Sequence, residues 1–190
     1  KKAVQEAAAE ATALQRKLSA EADDKLGGID ILINNAGISQ PLPLALMEDA
    51  DFDEVMSVNM KGTFLASRIA LRGMVRRRAG VVLNIGSLAG SRLIEAPTHY
   101  CASKAAVHGF TRALAKEMAR FGVRVNALAP GLLREGVGRS LPEHRLKDYV
   151  QHVSLGRVGE PQEVAQFAVF LVSDLNSYMN GEVIVMDGGL

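Results

Sequence analysis

Cysteine is nearly absent: Cys101 is the single one in 190 residues. No intrachain disulfide framework can form, which fits a reducing compartment. Long apolar runs are missing too. No stretch approaches the ~18 uninterrupted apolar residues that suggest a membrane-spanning helix, and no secretory signal pattern is visible. Neither sign of charge is in excess. Lys+Arg 22 against Asp+Glu 21 leave a net charge of +1, so no global field draws nucleic acid or an anionic membrane surface. Internal repeats, low-complexity linkers and a second domain are lacking as well. With 48% hydrophobic residues the chain can bury a sizeable core, and a single domain over residues 1–190 is expected. A cytoplasmic protein is the expectation. An organelle is the alternative if a targeting segment precedes Lys1-Lys2, where the chain starts without Met.

What is present is organised around residues 81–104. Val81-Val82-Leu83 reads as a buried strand. It leads to Ser87 and a turn of small residues, Leu88-Ala89-Gly90. Tyr100 then opens a long helical pattern, and Lys104 lies one turn further along the same helix face. A phenol with a pKa near 10 is a poor acid or base at neutral pH. A neighbouring ammonium favours the phenolate and turns the phenol into a usable general acid or base. Ser87 can donate a hydrogen bond to a substrate oxygen beside it and stabilise charge that develops there. The set suits interconversion of a carbonyl and an alcohol, but it supplies no hydride, so a cofactor is implied. Each part alone is ordinary. Tyr-x-x-x-Lys is a common helix pair, and a Ser at a strand end is usually a turn or cap residue. A hydrolase nucleophile elbow is disfavoured, because Ile85 occupies the place of the first Gly in Gly-x-Ser-x-Gly.

Along the chain, residues 1–27 are rich in helix formers, with Leu14, Leu18, Ala22 and Leu26 as a stripe. Gly27-Gly28 ends this helix. Residues 29–33 read as a buried parallel strand running into Asn34-Asn35-Ala36-Gly37, where small residues let a ligand approach the backbone. Residues 41–47 form a loop. Helices follow over roughly 49–59 and 61–77, and Asn59 sits where they meet, as a local kink. Arg76-Arg77-Arg78 reads as a solvated helix end, with docking of an acidic carrier as a weaker reading. His99 is expected at the surface or a pocket edge, and Cys101 in packing. The Tyr100 helix extends to about residue 120, with Ala102, Ala105, Ala106 and Gly109 as a small-residue face. A strand over 123–128 ends at Pro130-Gly131. Residues 132–155 read as a mobile lid. A helix from Glu160 or Pro161 to Ser173 and a strand over 183–186 complete the pattern.

Asn34-Asn35-Ala36-Gly37, Asn59 in Val-Asn-Met-Lys-Gly, Ser87, Tyr100-x-x-x-Lys104 and Pro130-Gly131 occur in this order and spacing. So ordered, the chain resembles the short-chain dehydrogenase/reductase family from about Gly28 to Leu190. Within it, the chain is most similar to the 3-oxoacyl-[acyl-carrier-protein] reductases. Residues 155–161 and the terminal Asp187-Gly188-Gly189 carry the same likeness. The resemblance implies an α/β fold, a Rossmann-type doubly wound parallel sheet. It implies Asn59, Ser87, Tyr100 and Lys104 as the catalytic set, with Asn59 holding a water in a proton relay. Asn34, Asn35, Ala36, Gly37, Tyr100, Lys104, Pro130 and Gly131 would contact the dinucleotide, Lys104 at the nicotinamide ribose. NADP(H) is expected ahead of NAD(H), no metal is expected, and a homotetramer or homodimer would pair the helices of this region. The implied reaction is reduction of a carbonyl, foremost a 3-oxoacyl thioester, small or carrier-protein-bound, in fatty-acid synthesis. The alternatives are an NAD-dependent dehydrogenase of another secondary alcohol, such as a steroid or sugar alcohol, and a non-catalytic subunit of the same fold.

Two features depart from the family. Glu135 stands where Pro-Gly-x-x-x-Thr places a Thr against the nicotinamide amide. The family also opens with a strand and a Thr-Gly-x-x-x-Gly-x-Gly turn that cradles the pyrophosphate, and no such segment precedes Asn34. Roughly fifty residues, the size of a βαβ pair, are expected to be missing, which would leave the strand at 29–33 as an open apolar edge.

Overall fold

The computed structural model describes residues 27–136 and 141–190, together with Lys17, Glu21 and Lys25. The Leu14–Leu26 stripe of the first expected helix lies outside the described residues. Lys17, Glu21 and Lys25 are helical, and Glu21 meets Lys25 at 3.9 Å one turn on.

Four strands form one parallel sheet in the order β1 (Ile31–Asn34), β2 (Gly80–Ile85), β3 (Val123–Pro130) and β4 (Val183–Met186). Their β-branched and apolar runs suit strands buried on both faces. Alternation along each strand sends side chains to opposite faces. Val82, Val123 and Val125 point to one core, built with Ala70, Leu71 and Met74 of α2 (Gly62–Arg77) and Leu114, Ala115 and Met118 of α3 (Thr98–Met118). Leu83 and Leu128 point to the other, against Ala168 and Leu171 of α5 (Pro161–Val172). Helices thus cover both faces of a parallel sheet, which is the doubly wound α/β architecture expected. Among the described residues β1 is an edge strand, with Ile31 48% and Ile33 45% exposed.

All four carboxyl ends lie on one side of the sheet, staggered so that β1 ends level with the start of β4. Asn34 lies opposite Asn84, Asn84 opposite Ala127, and Ala127 opposite Val183. Every turn that leaves these ends opens on the same rim of the sheet, the rim where α/β folds bind ligands.

Three of these readings take a more definite form. The helices meeting at Asn59 are one continuous run. α1 (Asp49–Met56) passes into a π turn over Ser57–Lys61 and on into α2, with right-handed dihedrals at each junction and Gly62 N–H donating to the Ser57 carbonyl. The wider turn accommodates Asn59 without ending the helix. The arginines closing α2 are exposed, as expected of a solvated helix end, and Arg77 and Arg78 also bond within the fold. Arg77 donates to the Ile29 carbonyl (2.6 Å) and pairs with Asp30 (3.1 Å), tying the helix end to the entry of β1. Arg78 takes the left-handed C-cap conformation (φ 54°) and donates to the Arg120 carbonyl (2.7 Å). Finally, the expected lid contains a helix, α4 (Glu143–His152).

Candidate active site

Each candidate lies at or just beyond the carboxyl rim, and its element explains why. Asn34 ends β1, and its amide donates to Asn84 Oδ1 (2.7 Å) and Ser67 Oγ (3.0 Å). Asn34 therefore cross-links β1, β2 and α2. Asn35, Ala36 and Gly37 are exposed on the turn that follows. At Gly37 a Cβ would sit 3.2 Å from Lys104 Nζ and 3.5 Å from Asn59 Oδ1. Glycine lets this turn close down on the lysine.

Asn59 is 1% exposed. Its Oδ1 accepts from Ile38 N–H (2.8 Å), and its Nδ2 donates to the Ile38 carbonyl (3.0 Å) and Ser103 Oγ (2.9 Å). Its own carbonyl accepts from Thr63 Oγ1 (2.8 Å). Asn59 thus fastens the far end of the 34–38 turn to α3 as well as to its own helix.

Ser87 leaves β2 in extended conformation (φ −166°) and caps a short helical turn, accepting from Ala89 N–H at 3.1 Å. That turn delivers its hydroxyl to the Tyr100 phenol. Burial pushes the Tyr100 pKa above its ordinary 10, and the hydrogen bond with Ser87 pulls the other way. Lys104 is 5% exposed. Its Nζ donates to the Ile85 carbonyl (2.9 Å) and lies 5.8 Å from the centre of the Tyr100 ring. Desolvation lowers the Lys104 pKa to about 8. The expected depression of the phenol by this ammonium is not what the geometry gives. Burial dominates, and the phenol stays protonated at neutral pH.

Pro130-Gly131 ends β3. Gly131 N–H donates to the Met186 carbonyl (2.9 Å), and Leu132 N–H donates to Tyr149 Oη (2.9 Å) on α4. Leu132 and Arg134 are further pinned to Gly159 through backbone bonds of 3.0 Å each. Glu135 lies exposed beyond this clamp. Arg145 of α4 pairs with Glu95, so α4 is joined to the segment leading to Tyr100.

Two residues were missed in the sequence. Tyr149 gave only an amphipathic hint, as Leu146, Tyr149 and Val150 at helical spacing after Pro142-Glu143. His108, 2% exposed behind Ser87, gave none. His99 corrects an expectation: it is 1% exposed rather than at a surface, and neither ring nitrogen has a hydrogen-bond partner. Cys101 is half-buried, its thiol against the Ala96 carbonyl at 3.8 Å and its pKa pushed up by burial. It is not a poised thiolate. Among the described residues no cluster of His, Cys, Asp or Glu could hold a metal ion, and no helix is long and apolar enough to cross a membrane.

A nicotinamide–ribose moiety fits these donors. The exposed Asn35–Gly37 turn, Lys104 Nζ beneath it and the clamped Pro130-Gly131 segment all face the carboxyl rim.

Comparison with known proteins agrees with the geometry. The family described as Enoyl-(Acyl carrier protein) reductase matches residues 3–190. A 3-oxoacyl-[acyl-carrier-protein] reductase of Thermotoga maritima is 43% identical over 166 residues, 87% of this chain and 68% of that protein. One from Vibrio harveyi is 38% identical over 168 residues, 88% of this chain and 69% of that protein. Among solved structures, a gluconate 5-dehydrogenase from Burkholderia cenocepacia in complex with NADP and tartrate superposes with a TM-score of 0.90 at 33% identity, covering 94% of this chain and 71% of that one. A 3-oxoacyl-[acyl-carrier protein] reductase from Brucella melitensis gives 0.86 at 34% identity, covering 93% and 68%. The chain belongs to the short-chain dehydrogenase/reductase family, oxidoreductases of carbonyl and CH–OH groups.

Proposed function

We propose that this protein reduces the ketone of a 3-oxoacyl thioester to the 3-hydroxyacyl thioester, with NADPH as the reductant. The observation that carries the reading is the Ser87 hydroxyl and the Tyr100 phenol meeting beside a buried Lys104 at the sheet's carboxyl rim. When bound, the reduced dinucleotide supplies the hydride, and the protein supplies the proton and the polarising groups. The Tyr100 phenol is protonated at neutral pH and so is available to give a proton to the carbonyl oxygen, the role that reduction requires. Ser87 Oγ–H donates to the carbonyl oxygen and stabilises the charge that grows there. Tyr100 then delivers its proton to that oxygen and is re-protonated from solvent. Lys104 sits beneath the Asn35–Gly37 turn, where its ammonium can hold ribose hydroxyls. Asn59 keeps that turn in place. The substrate class and the preference for NADP(H) are supported by the similarity to 3-oxoacyl-[acyl-carrier-protein] reductases and to a structure solved with NADP. A homo-oligomer fits the half-exposed Phe64 and the exposed Ala102, Ala105 and Gly109, which leave part of α2 and α3 uncovered.

The test is oxidation of NADPH by the purified protein with acetoacetyl-CoA, followed by absorbance. Turnover that Tyr100→Phe abolishes is expected. Wild-type turnover in that variant would sink the assignment. A second reading has its own support: the solved structure of a gluconate 5-dehydrogenase superposes with a TM-score of 0.90. Reduction of NADP by gluconate in the same assay, with no activity on the thioester, would favour a sugar-acid dehydrogenase. No dinucleotide binding in a titration would favour a non-catalytic subunit.

A further inference from the structure

His108 lies on α3 in the same stripe as Tyr100 and Lys104, one helical turn apart each time, yet the reaction as described does not use it. It is 2% exposed, and it faces the turn that carries Ser87. Ser87 N–H points at its Nε2 across 3.5 Å, and its Nδ1 meets Ser91 Oγ at 3.0 Å. An amide N–H can only donate, so Nε2 must be the bare nitrogen and Nδ1 must carry the proton. The two ring nitrogens therefore hold the two ends of one turn. The start of the turn closes on the ring: a Cβ at Gly86 would lie 2.3 Å from Nε2. At Gly90 a Cβ would meet the α3 backbone, at Lys104 C (2.7 Å) and Ala105 N (2.8 Å), as well as the ring at Cε1 (2.8 Å). Glycine at Gly86 lets the backbone close on the imidazole, and glycine at Gly90 lets it close on the helix that carries the ring. Within the turn, Gly90 N–H donates to the Ser87 carbonyl and Ser91 N–H to the Leu88 carbonyl, 3.0 Å each. None of these bonds fixes the Ser87 amide. His108 is the group placed to do so.

We infer that His108 is a positioning residue: as the neutral Nδ1–H tautomer it pins the Ser87–Ser91 turn at both ends and so sets where the Ser87 hydroxyl meets the substrate oxygen. The inference rests on the reading of Ser87 as the group that polarises the carbonyl. An apolar ring of the same volume would fill the space but leave the part-buried Ser87 amide without this acceptor.

The test combines spectroscopy with a mutant cycle. NMR of isotopically labelled histidine in the unaltered protein should find Nδ1 protonated and Nε2 bare at neutral pH. A proton on Nε2 overturns the inference without any variant having to fold. In turnover of acetoacetyl-CoA with NADPH, His108→Leu should lower kcat about tenfold, less than the loss of a direct oxyanion donor, while KM for NADPH stays within about twofold. His108→Gln, whose amide oxygen can accept from Ser87 N–H, should recover kcat to within about threefold of wild type. Adding His108→Leu to Ser87→Ala should cost nothing further, because both act through one hydroxyl. Equal, additive losses in the two backgrounds, or a Gln variant no better than Leu, would mean that His108 only fills space. If Ser87→Ala itself turns over at the wild-type rate, the reading of Ser87 fails and this inference falls with it. If Ser87→Ala is impaired while His108→Leu is not, only this inference falls.

Discussion

Asn59→Ala is the perturbation whose consequences the structure sets out most fully. The side chain is 1% exposed and makes three hydrogen bonds: one from Ile38 N–H, one to the Ile38 carbonyl and one to Ser103 Oγ, at 2.8–3.0 Å. At about 1 kcal/mol net for each bond, their loss costs about 3 kcal/mol. Ser103 keeps its bond to the Tyr100 carbonyl (2.8 Å), so the orphaned groups are those of Ile38. A domain of this size loses about 2–4 °C of melting temperature per kcal/mol, so a drop of about 6–12 °C is expected. The functional effect follows from place rather than energy. Ile38 ends the turn whose Gly37 rests on Lys104. Freeing it should weaken dinucleotide binding while leaving the Ser87–Tyr100 contact intact, raising KM for NADPH more than it lowers kcat. Asn59→Asp keeps the volume but turns a carboxylate oxygen toward the Ile38 carbonyl, and should destabilise at least as much. Thermal unfolding read beside dinucleotide titration checks both parts. A variant that melts within about 2 °C of wild type with unchanged NADPH affinity would refute the account of Asn59 as the clasp of this turn.

The remaining predictions follow from the same geometry. Tyr100→Phe should abolish turnover yet leave the melting temperature nearly unchanged, since it removes a single hydroxyl that interacts with Ser87 and keeps the ring; a large drop in stability would make Tyr100 structural. The Lys104 pKa falls from 10.5 unfolded to about 8 folded, so the unfolded state binds more protons between those values. Stability should therefore rise with pH across that window, by about 3 kcal/mol at 1.36 kcal/mol per pKa unit, and pH-dependent urea melts of Lys104→Met should lack the rise. The same titration predicts that NADPH affinity weakens above about pH 8 as the ammonium is lost; a flat profile would remove the ribose role from the charge. Arg77→Ala should cost about 1 kcal/mol, the scale of one hydrogen bond, and more than Asp30→Ala. Asp30 is 81% exposed, so the Ile29 carbonyl bond outweighs the ion pair; chemical denaturation of the pair of variants decides the order.

What could be read in the sequence was whatever local chemistry alone determines. Val82, Val123 and Val125 announce strands because a buried parallel strand tolerates little else, and their boundaries moved only by a residue or two. Pro161 announces α5 as a proline suited to the first helical turn, and the structure adds a capping box between Glu160 and Glu163 around it. The Tyr100–Lys104 pair is legible because a helix puts such residues on one face whatever surrounds it. What was illegible depends on contacts between distant segments. Asn59 in a helix looks like a breaker, and nothing local reveals that a π turn absorbs it while Ile38 and Ser103 satisfy its amide. The arginines at the end of α2 look solvated, and they are, but their bonds to the Ile29 and Arg120 carbonyls leave no local trace because those residues are far away in sequence. The pKa of Tyr100 was expected to follow its neighbour Lys104. Burial decided it instead, and burial is a property of the whole fold. His108 had no local signature because its partners, Gly86 to Ser91, lie on another element.

The polar residues at the rim also explain why the site is held to one geometry. From Asn34 a chain of hydrogen bonds runs to Asn84 Oδ1, from Asn84 Nδ2 to Thr111 Oγ1 (2.9 Å), and from Thr111 to the Val107 carbonyl (2.8 Å). A second branch reaches Ser67 on α2. Asn84 and Thr111 are fully buried, so each would cost free energy if its partner slipped. Apolar side chains at these places could pack in several registers with little difference in energy. Paired amides accept one, because a shift of β1 by a single residue would put Asn34 on the wrong face. The same network reaches Val107, beside His108 and one turn beyond Lys104 on α3. The sheet register, the depth of α3 and the height of the Tyr100–Lys104 pair are therefore a single constraint. Replacing Asn84 with an isosteric Leu would relax the site even though Asn84 touches none of the reacting groups.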